Sequence, residues 1–301
     1  MQKLLIICGA TATGKTALAV KLAKALNTEI ISADSQLVYR GLNIGTAKPT
    51  AEEMQGVKHH LIDVVDANEN FSVSDYEERA LPVIDDLLHQ GKTPIICGGT
   101  GFYINSILYK LSYGKTKANS EIRAKYEKVL EEKGKEYLHS LLEEVDPETA
   151  NKLHCNDVKR VIRALEIYES SGKRKSEQCD ELQPRYDYVA VAIDYPREEL
   201  YNRINLRVDK MFEQGLVEEV KGMLAEGLDE NCQSMQAIGY KEVLESLKFG
   251  VNDSTMRDII SKNTRNYAKR QITFFKKLKN IVWIKPEQAT TEYILKMLDG
   301  E

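Results

Sequence analysis

The chain has 301 residues, of which 42% are hydrophobic and 29% charged, with a net charge of −4. That composition belongs to an ordinary globular protein with a full apolar core, built as one large domain or as one domain carrying a smaller insertion. The acidic average does not single out a nucleic-acid binder, although an average hides local patches, and no apolar run is long enough to span a membrane.

Residues 3–8, KLLIIC, are short, continuous and aliphatic, as in a strand buried on both faces of a parallel sheet. Gly9, Ala10, Thr11, Ala12, Thr13, Gly14, Lys15 and Thr16 follow and fit the phosphate-loop pattern G-x-x-x-x-G-K-[ST]. The helix expected next carries Leu18, Leu22 and Leu26 on one face. Strand, loop and helix in this order give the motif its physical sense. Backbone N–H groups and the helix N-terminus face an anion, Lys15 neutralises phosphate charge, and the Thr16 hydroxyl reaches a magnesium ion.

Further short strands are expected at residues 30–33, 94–97, 188–193 and 281–284, separated by helical stretches. This is the pattern of βαβ units and a parallel sheet. Asp34 ends the second strand and Gly98-Gly99-Thr100-Gly101 ends the third. Ligands of open α/β sheets bind beyond the carboxyl ends of strands. Asp34 is therefore a candidate general base or metal partner, or else a cap of the following turn. Thr100 offers a hydroxyl, or else belongs to a plain strand-to-helix turn. His59 and His60 have no third histidine placed to complete a metal site and are read as structural, or else as phosphate or RNA contacts.

Residues 112–183 change character: they are polar, charged and helical in period. Ile122, Tyr126, Val129 and Leu130 share one face, and Val158, Ile162 and Leu165 another. The expectation is a helical insertion between two parts of a core domain, 1–111 and 184–301. Residues 197–227 and 254–279 are again long periodic stretches. Arg203 and Arg207 stand four apart on the first of them and could grip a diphosphate, or make surface ion pairs. Residues 257–279 hold eight basic side chains against the single acid Asp258, with Tyr267, Phe274 and Phe275 interleaved. A solvated helix face would explain such a run, and so would a phosphate-backbone footprint. Lys159, Arg160 and Arg163 form a smaller basic cluster.

The five cysteines (Cys8, Cys97, Cys155, Cys179 and Cys232) are odd in number and scattered, so free thiols in a reducing compartment are expected. With no leader-like segment ahead of the glycine-rich loop, the expected location is the cytoplasm. Nothing demands a partner subunit, and a monomer is expected.

Several stretches in order resemble the tRNA dimethylallyltransferases, also called tRNA isopentenyltransferases. They are GATATGKT from Gly9, ISADSQLVYRGLNIGTAKP from Ile31, HHLID from His59, GGTGFY from Gly98, NDVKRVIRALEIYESSGK from Asn156, AIGYKE from Ala237 and AKRQITFF from Ala268. One departure is Ala10, where that family usually has proline; it bears on loop stiffness and not on phosphate ligation. The resemblance implies an α/β, P-loop NTPase-like parallel sheet core with a helical insertion domain. It implies transfer of a dimethylallyl group from dimethylallyl diphosphate to N6 of the adenosine just 3′ of the anticodon, with diphosphate leaving. By the same resemblance Asp34 is the catalytic aspartate, Thr100 stands near the reacting centre, and Lys15, Thr16 with Mg²⁺ and Arg207 stabilise the leaving group. Contacts to tRNA are implied for Asp34, Ser35, Gln36, Leu37, Thr100, Arg123, Asp157, Val158, Lys159, Arg160, Val161, Gly239, Tyr240, Lys241 and residues 273–280, among them Thr273, Lys276 and Lys277. From the residues alone, a small-molecule kinase using ATP and a nucleotide-gated RNA-binding module remain alternatives.

Overall fold

The computed structural model describes residues 3–111, 119–177, 183–278 and 280–300. Cys179, Lys279 and the expected start of the insertion at Ser112 lie outside them.

The chain opens with β1 (Leu4–Cys8), the glycine-rich loop and α1 (Lys15–Ala25), followed by β2 (Ile30–Ser32) and a one-turn α2 (Ala51–Met54). Next come β3 (His59–His60), α3 (Val73–His89), β4 (Ile95–Cys97) and α4 (Gly101–Leu108). Three helices succeed one another: α5 (Ser120–Val145), α6 (Pro147–Lys152) and α7 (Val158–Ser171). The chain then forms β5 (Tyr188–Ile193), α8 (Arg197–Glu213), α9 (Leu216–Ala225), α10 (Tyr240–Phe249), α11 (Asp253–Lys277), β6 (Ile281–Ile284) and α12 (Thr291–Asp299). It divides into two compact units. One comprises Met1–Leu108 with Pro184–Glu301 and the other Tyr109–Gln183.

The first unit is built on a six-stranded sheet in the order β3-β2-β4-β1-β5-β6. All its pairings are parallel. β1 is central and entirely buried, which explains its unbroken aliphatic run. On one face Leu5 and Ile7 pack with Leu18, Leu22 and Ala23 of α1 and Ile294 of α12. The parallel strands bring the turns after β1, β2, β4 and β5 to the same edge of the sheet.

Two elements depart from the sequence expectation. The pair His59-His60 is an edge strand, paired with Ile30 and Ile31 of β2. His60 Nε2 meets Glu29 Oε2 at 2.5 Å and His59 Nδ1 meets the Val57 carbonyl at 2.9 Å, so both histidines serve the fold. The periodic stretch from Arg197 is two helices, α8 and α9, separated at Gly215, whose φ of 95° is left-handed.

The second unit has its own core of Leu138, Leu142, Ala150, Leu153, Val161, Ile162, Ala164 and Leu165. Ile162 and Leu165 were expected on one face, and they stand in this core with Val158 packed at its edge. Gly134, at φ 81°, breaks α5. Glu166 is fully buried and is met by Arg123, Arg163 and the Asn119 amide. Burial opposes its charge, but Arg163, the Asn119 amide and Arg123 outweigh that and hold its carboxyl below the ordinary range.

Candidate active site

The glycine-rich loop turns sharply out of β1. Gly14 stands at φ 84°, a left-handed conformation that a side chain disfavours, and the helix begins at Lys15. Thr13 is buried and donates its hydroxyl to the Ala10 carbonyl at 2.9 Å, and the Lys15 ammonium donates to that same carbonyl. Ala10 itself packs against Leu200, Ile204 and Ala268, so the position that departs from proline is held by α8 and α11. Burial pushes the Lys15 ammonium below its ordinary pKa and Arg207 adds to the effect, while Cys97 and Asp34 oppose it. Burial also pushes the thiols of Cys8 and Cys97 up to about 12 and about 11, which keeps them protonated and unreactive beside the lysine.

Asp34 leaves β2 and accepts the Gln36 amide on Oδ1 at 2.9 Å. The turn-cap reading is what the structure shows, and the carboxylate it fixes lines the cavity. Thr100 is tied to the same turn. Its hydroxyl oxygen accepts the Ser35 amide at 3.0 Å, and its own amide donates to the Ala33 carbonyl at 3.0 Å. The parallel pairing of β2 and β4 makes this approach possible, since Ser32 stands opposite Cys97.

Arg203 and Arg207 of α8 do different things. Arg203 Nε donates to the Ala12 carbonyl at 2.8 Å, and its guanidinium stacks over Tyr195 at 4.7 Å. It clamps the phosphate loop. Arg207 donates to the Thr46 carbonyl at 3.1 Å and lines the cavity. Its loop is fixed in turn by Glu219 of α9, whose carboxylate accepts the amides of Asn43, Ile44 and Gly45. Tyr240 donates its hydroxyl to Glu219 and accepts the Gly45 amide at 3.2 Å.

Asp34 and Arg207 face a cavity of about 280 Å³. Thr11, Asp34, Ser35, Arg207, Tyr267 and Arg270 supply its polar wall, and Ile204, Val208, Met211, Ile238 and Ile260 its apolar wall. Tyr267 lines the same cavity as Asp34; burial and that carboxylate push its phenol well up, so it stays protonated. Glu219, Tyr267 as a cavity residue, and Gln271 were not singled out by sequence. Nothing in the spacing of the sequence points to Glu219, whose partners lie more than 170 residues away.

The remaining sequence candidates divide by exposure. Lys15 is half-buried, and Thr16 is exposed on the first turn of α1. Ser35, Gln36 and Leu37 are half-buried, while Lys159, Arg160, Lys241, Thr273, Lys276 and Lys277 are exposed. Asp157 and Val158 are half-buried at the start of α7. Four of the positions implied to contact tRNA have packing or partners within the fold. Val161 is 1% exposed because helical periodicity turns it into the core of its unit. Tyr240 is fully buried against Glu219, and Gly239 is buried beside it, with its amide donated to Glu242. Arg123 spends its guanidinium on Glu166. Arg257 and Arg265 of the basic run are also engaged, with Asp209 and Asn205 of α8.

Among the described residues, no three His, Cys, Asp or Glu side chains gather as a metal site. A magnesium ion that takes one hydroxyl, such as that of Thr16, with phosphate oxygens and water fits this donor set.

Residues 37–278 match the IPP transferase family model. A tRNA dimethylallyltransferase of Acetivibrio thermocellus is 47% identical, over 99% of this chain and 96% of the relative. One of Bacillus cytotoxicus is 44% identical, over 100% and 96%. The crystal structure of a full-length tRNA isopentenylpyrophosphate transferase from Bacillus halodurans superimposes with a TM-score of 0.75 at 41% identity, covering 100% of this chain and 96% of that one. A eukaryotic dimethylallyltransferase acting on tRNA gives 0.79 at 30% identity, over 98% and 76%. The chain belongs to the IPP transferase family, that of the tRNA dimethylallyltransferases.

Proposed function

We infer that the protein transfers the dimethylallyl group of dimethylallyl diphosphate to N6 of the adenosine adjacent to the anticodon in tRNA, releasing diphosphate. The family supports the reaction, and one observation carries the roles of the residues: Asp34, Arg207 and Thr11 of the phosphate loop line a single cavity with an apolar wall. A phosphate loop beside such a wall suits an allylic diphosphate. The small-molecule kinase and the RNA-binding module are set aside by membership in a transferase family.

In this reading the loop amides and Lys15 hold the diphosphate, and Arg207 faces it from α8. Magnesium, held by Thr16 and the phosphates, would supply charge neutralisation to the leaving group. The adenine N6 forms its bond to C1 of the dimethylallyl group as the C1–O bond breaks, and the bonding pair departs with the diphosphate. Asp34 takes the proton that N6 must lose. Developing negative charge on the bridging oxygen is met by groups already fixed, since Arg203 and Gln271 hold the loop and Thr46 holds Arg207. The acceptor base must leave its stack to reach the cavity, as single-stranded loop bases can.

The test is transfer of labelled dimethylallyl from its diphosphate to unmodified tRNA in the presence of magnesium. Label should enter tRNA, and Asp34→Asn should lower turnover by roughly 10²–10⁴ while tRNA affinity changes little. Absence of label would sink the reading. Equal losses of turnover and tRNA affinity would remove Asp34 from the role of base.

A further inference from the structure

Beside the cavity lies an aromatic surface that the reaction does not use. Phe102, on the first turn of α4 and two residues beyond Thr100, is 63% exposed. Its ring stands 5.4 Å from that of Phe274 on α11, at 57°. Phe274 is anchored from below by Phe275, which is fully buried and meets it edge-on at 5.7 Å. It also lies directly on the backbone of Gly101: a Cβ there would come within 2.1 Å of the Phe274 ring. Gly101 thus lets the pair sit against the turn that carries Thr100.

Charge surrounds this surface. Arg270 and Lys277 are four residues before and three after Phe274, hence on the same side of α11, and both are exposed. Arg270 also lines the cavity. An exposed flat ring, flanked by cations and next to the turn at the reacting centre, suits a base attached to a phosphate backbone.

We propose that Phe102, backed by Phe274, is a stacking ledge for the nucleobase next to the adenosine that is modified. The proposal rests on the reading that α11 faces the RNA. Withdrawing the target base from the anticodon loop breaks its stack with a neighbour. The ledge gives that neighbour a new face and stabilises the opened loop.

The test uses the full chain and an anticodon stem-loop RNA in steady-state kinetics. Phe102→Ala should raise the KM for RNA about tenfold, with little change in kcat or in the KM for dimethylallyl diphosphate, and Phe102→Trp should restore it. An abasic nucleotide at the 5′ or the 3′ neighbour of the target should cost the wild type a similar factor. Combined with Phe102→Ala, the loss at that one neighbour should not multiply. An unchanged KM in Phe102→Ala, or losses that multiply at both neighbours, overturns the ledge. If charge removal at Lys277 also leaves RNA affinity and its salt dependence unchanged, the RNA-facing reading of α11 fails with it; if it weakens binding, the ledge alone fails.

Discussion

Gln271 of α11 joins the basic helix to the phosphate loop, its carboxamide oxygen accepting the Thr11 amide at 2.9 Å. Its nitrogen donates to the Gly99 carbonyl at 3.0 Å, so one buried side chain spans the turns after β1 and β4. A loop that binds phosphates through its backbone gains affinity when its shape is set before the ligand arrives.

Gln271→Ala should therefore act as a positioning defect. It leaves a buried carbonyl without its donor, at a cost on the order of 1–3 kcal/mol in stability. The KM for dimethylallyl diphosphate should rise by about tenfold, which corresponds to about 1.4 kcal/mol of binding. RNA affinity should stay near the wild-type value, since Gln271 faces inward. Gln271→Glu can still accept from Thr11 but cannot donate to Gly99, and should fall between the two. A loss of RNA affinity equal to the loss of donor affinity would refute the assignment.

Lys15 makes the opposite case, of function kept at the expense of stability. Burial lowers its pKa in the folded protein below 10.5, so the unfolded chain binds more protons between the two values. The cost is present in full below the folded pKa and disappears as pH rises towards 10.5. Lys15→Met should abolish transfer yet raise the melting temperature of the ligand-free protein, by about 2–4 °C for each kcal/mol recovered. Thermal melts at neutral and alkaline pH check this: the gap between variant and wild type should close as pH rises. A variant that melts below the wild type at neutral pH would contradict it.

The sequence made some parts of this site legible and hid others for identifiable reasons. A phosphate loop shows itself because its chemistry is local: Gly14 needs a left-handed φ, and Lys15 and Thr16 must follow at once. Asp34 and Thr100 were legible as strand-end residues because a parallel sheet delivers such positions to one edge. Glu219 was not, since its hydrogen bonds with residues 43–45 cross most of the chain and no spacing records them. The motifs did not reveal that the side chains of Val161 and Tyr240 pack inside the fold, because their partners are distant in sequence. The two-residue β3 carries too few side chains to show a strand period.

Glu166 provides a pH test confined to the helical unit. Its carboxyl is depressed below 4.5 despite burial, because Arg163, the Asn119 amide and Arg123 favour its charged form. A depressed carboxyl contributes stability that is present above the unfolded value of 4.5 and is lost as pH falls through the folded one. Amide exchange in α5 and α7 should therefore accelerate below pH 4.5 ahead of exchange in β1. Glu166→Gln should show fast exchange in these helices already at neutral pH, because it removes the buried negative charge that Arg123, Arg163 and the Asn119 amide converge on. Equal protection in variant and wild type would mean the ion cluster holds nothing together.

The basic residues of α11 should divide into two classes under mutation. Arg257 pairs with Asp209 and stacks on Phe212 at 4.3 Å, and Arg265 donates to Asn205 at 2.7 Å. Both bind α11 to α8. Lys262, Lys269 and Lys276 recur at seven-residue spacing, share an exposed face with Thr273, and have Lys277 beside them. If that face meets the RNA backbone, replacing Lys262, Lys276 and Lys277 by Gln should weaken tRNA binding and flatten its salt dependence. The log–log slope should fall by about 0.7–0.9 for each phosphate that is no longer neutralised. The melting temperature should hardly move, because these side chains are in water. Arg257→Gln and Arg265→Gln should do the reverse, lowering the melting temperature while leaving the slope intact. Affinity measured across a salt series, with a melt of each variant, separates the classes. A slope that follows Arg257 and Arg265 rather than the lysines would place the RNA on the other side of the helix.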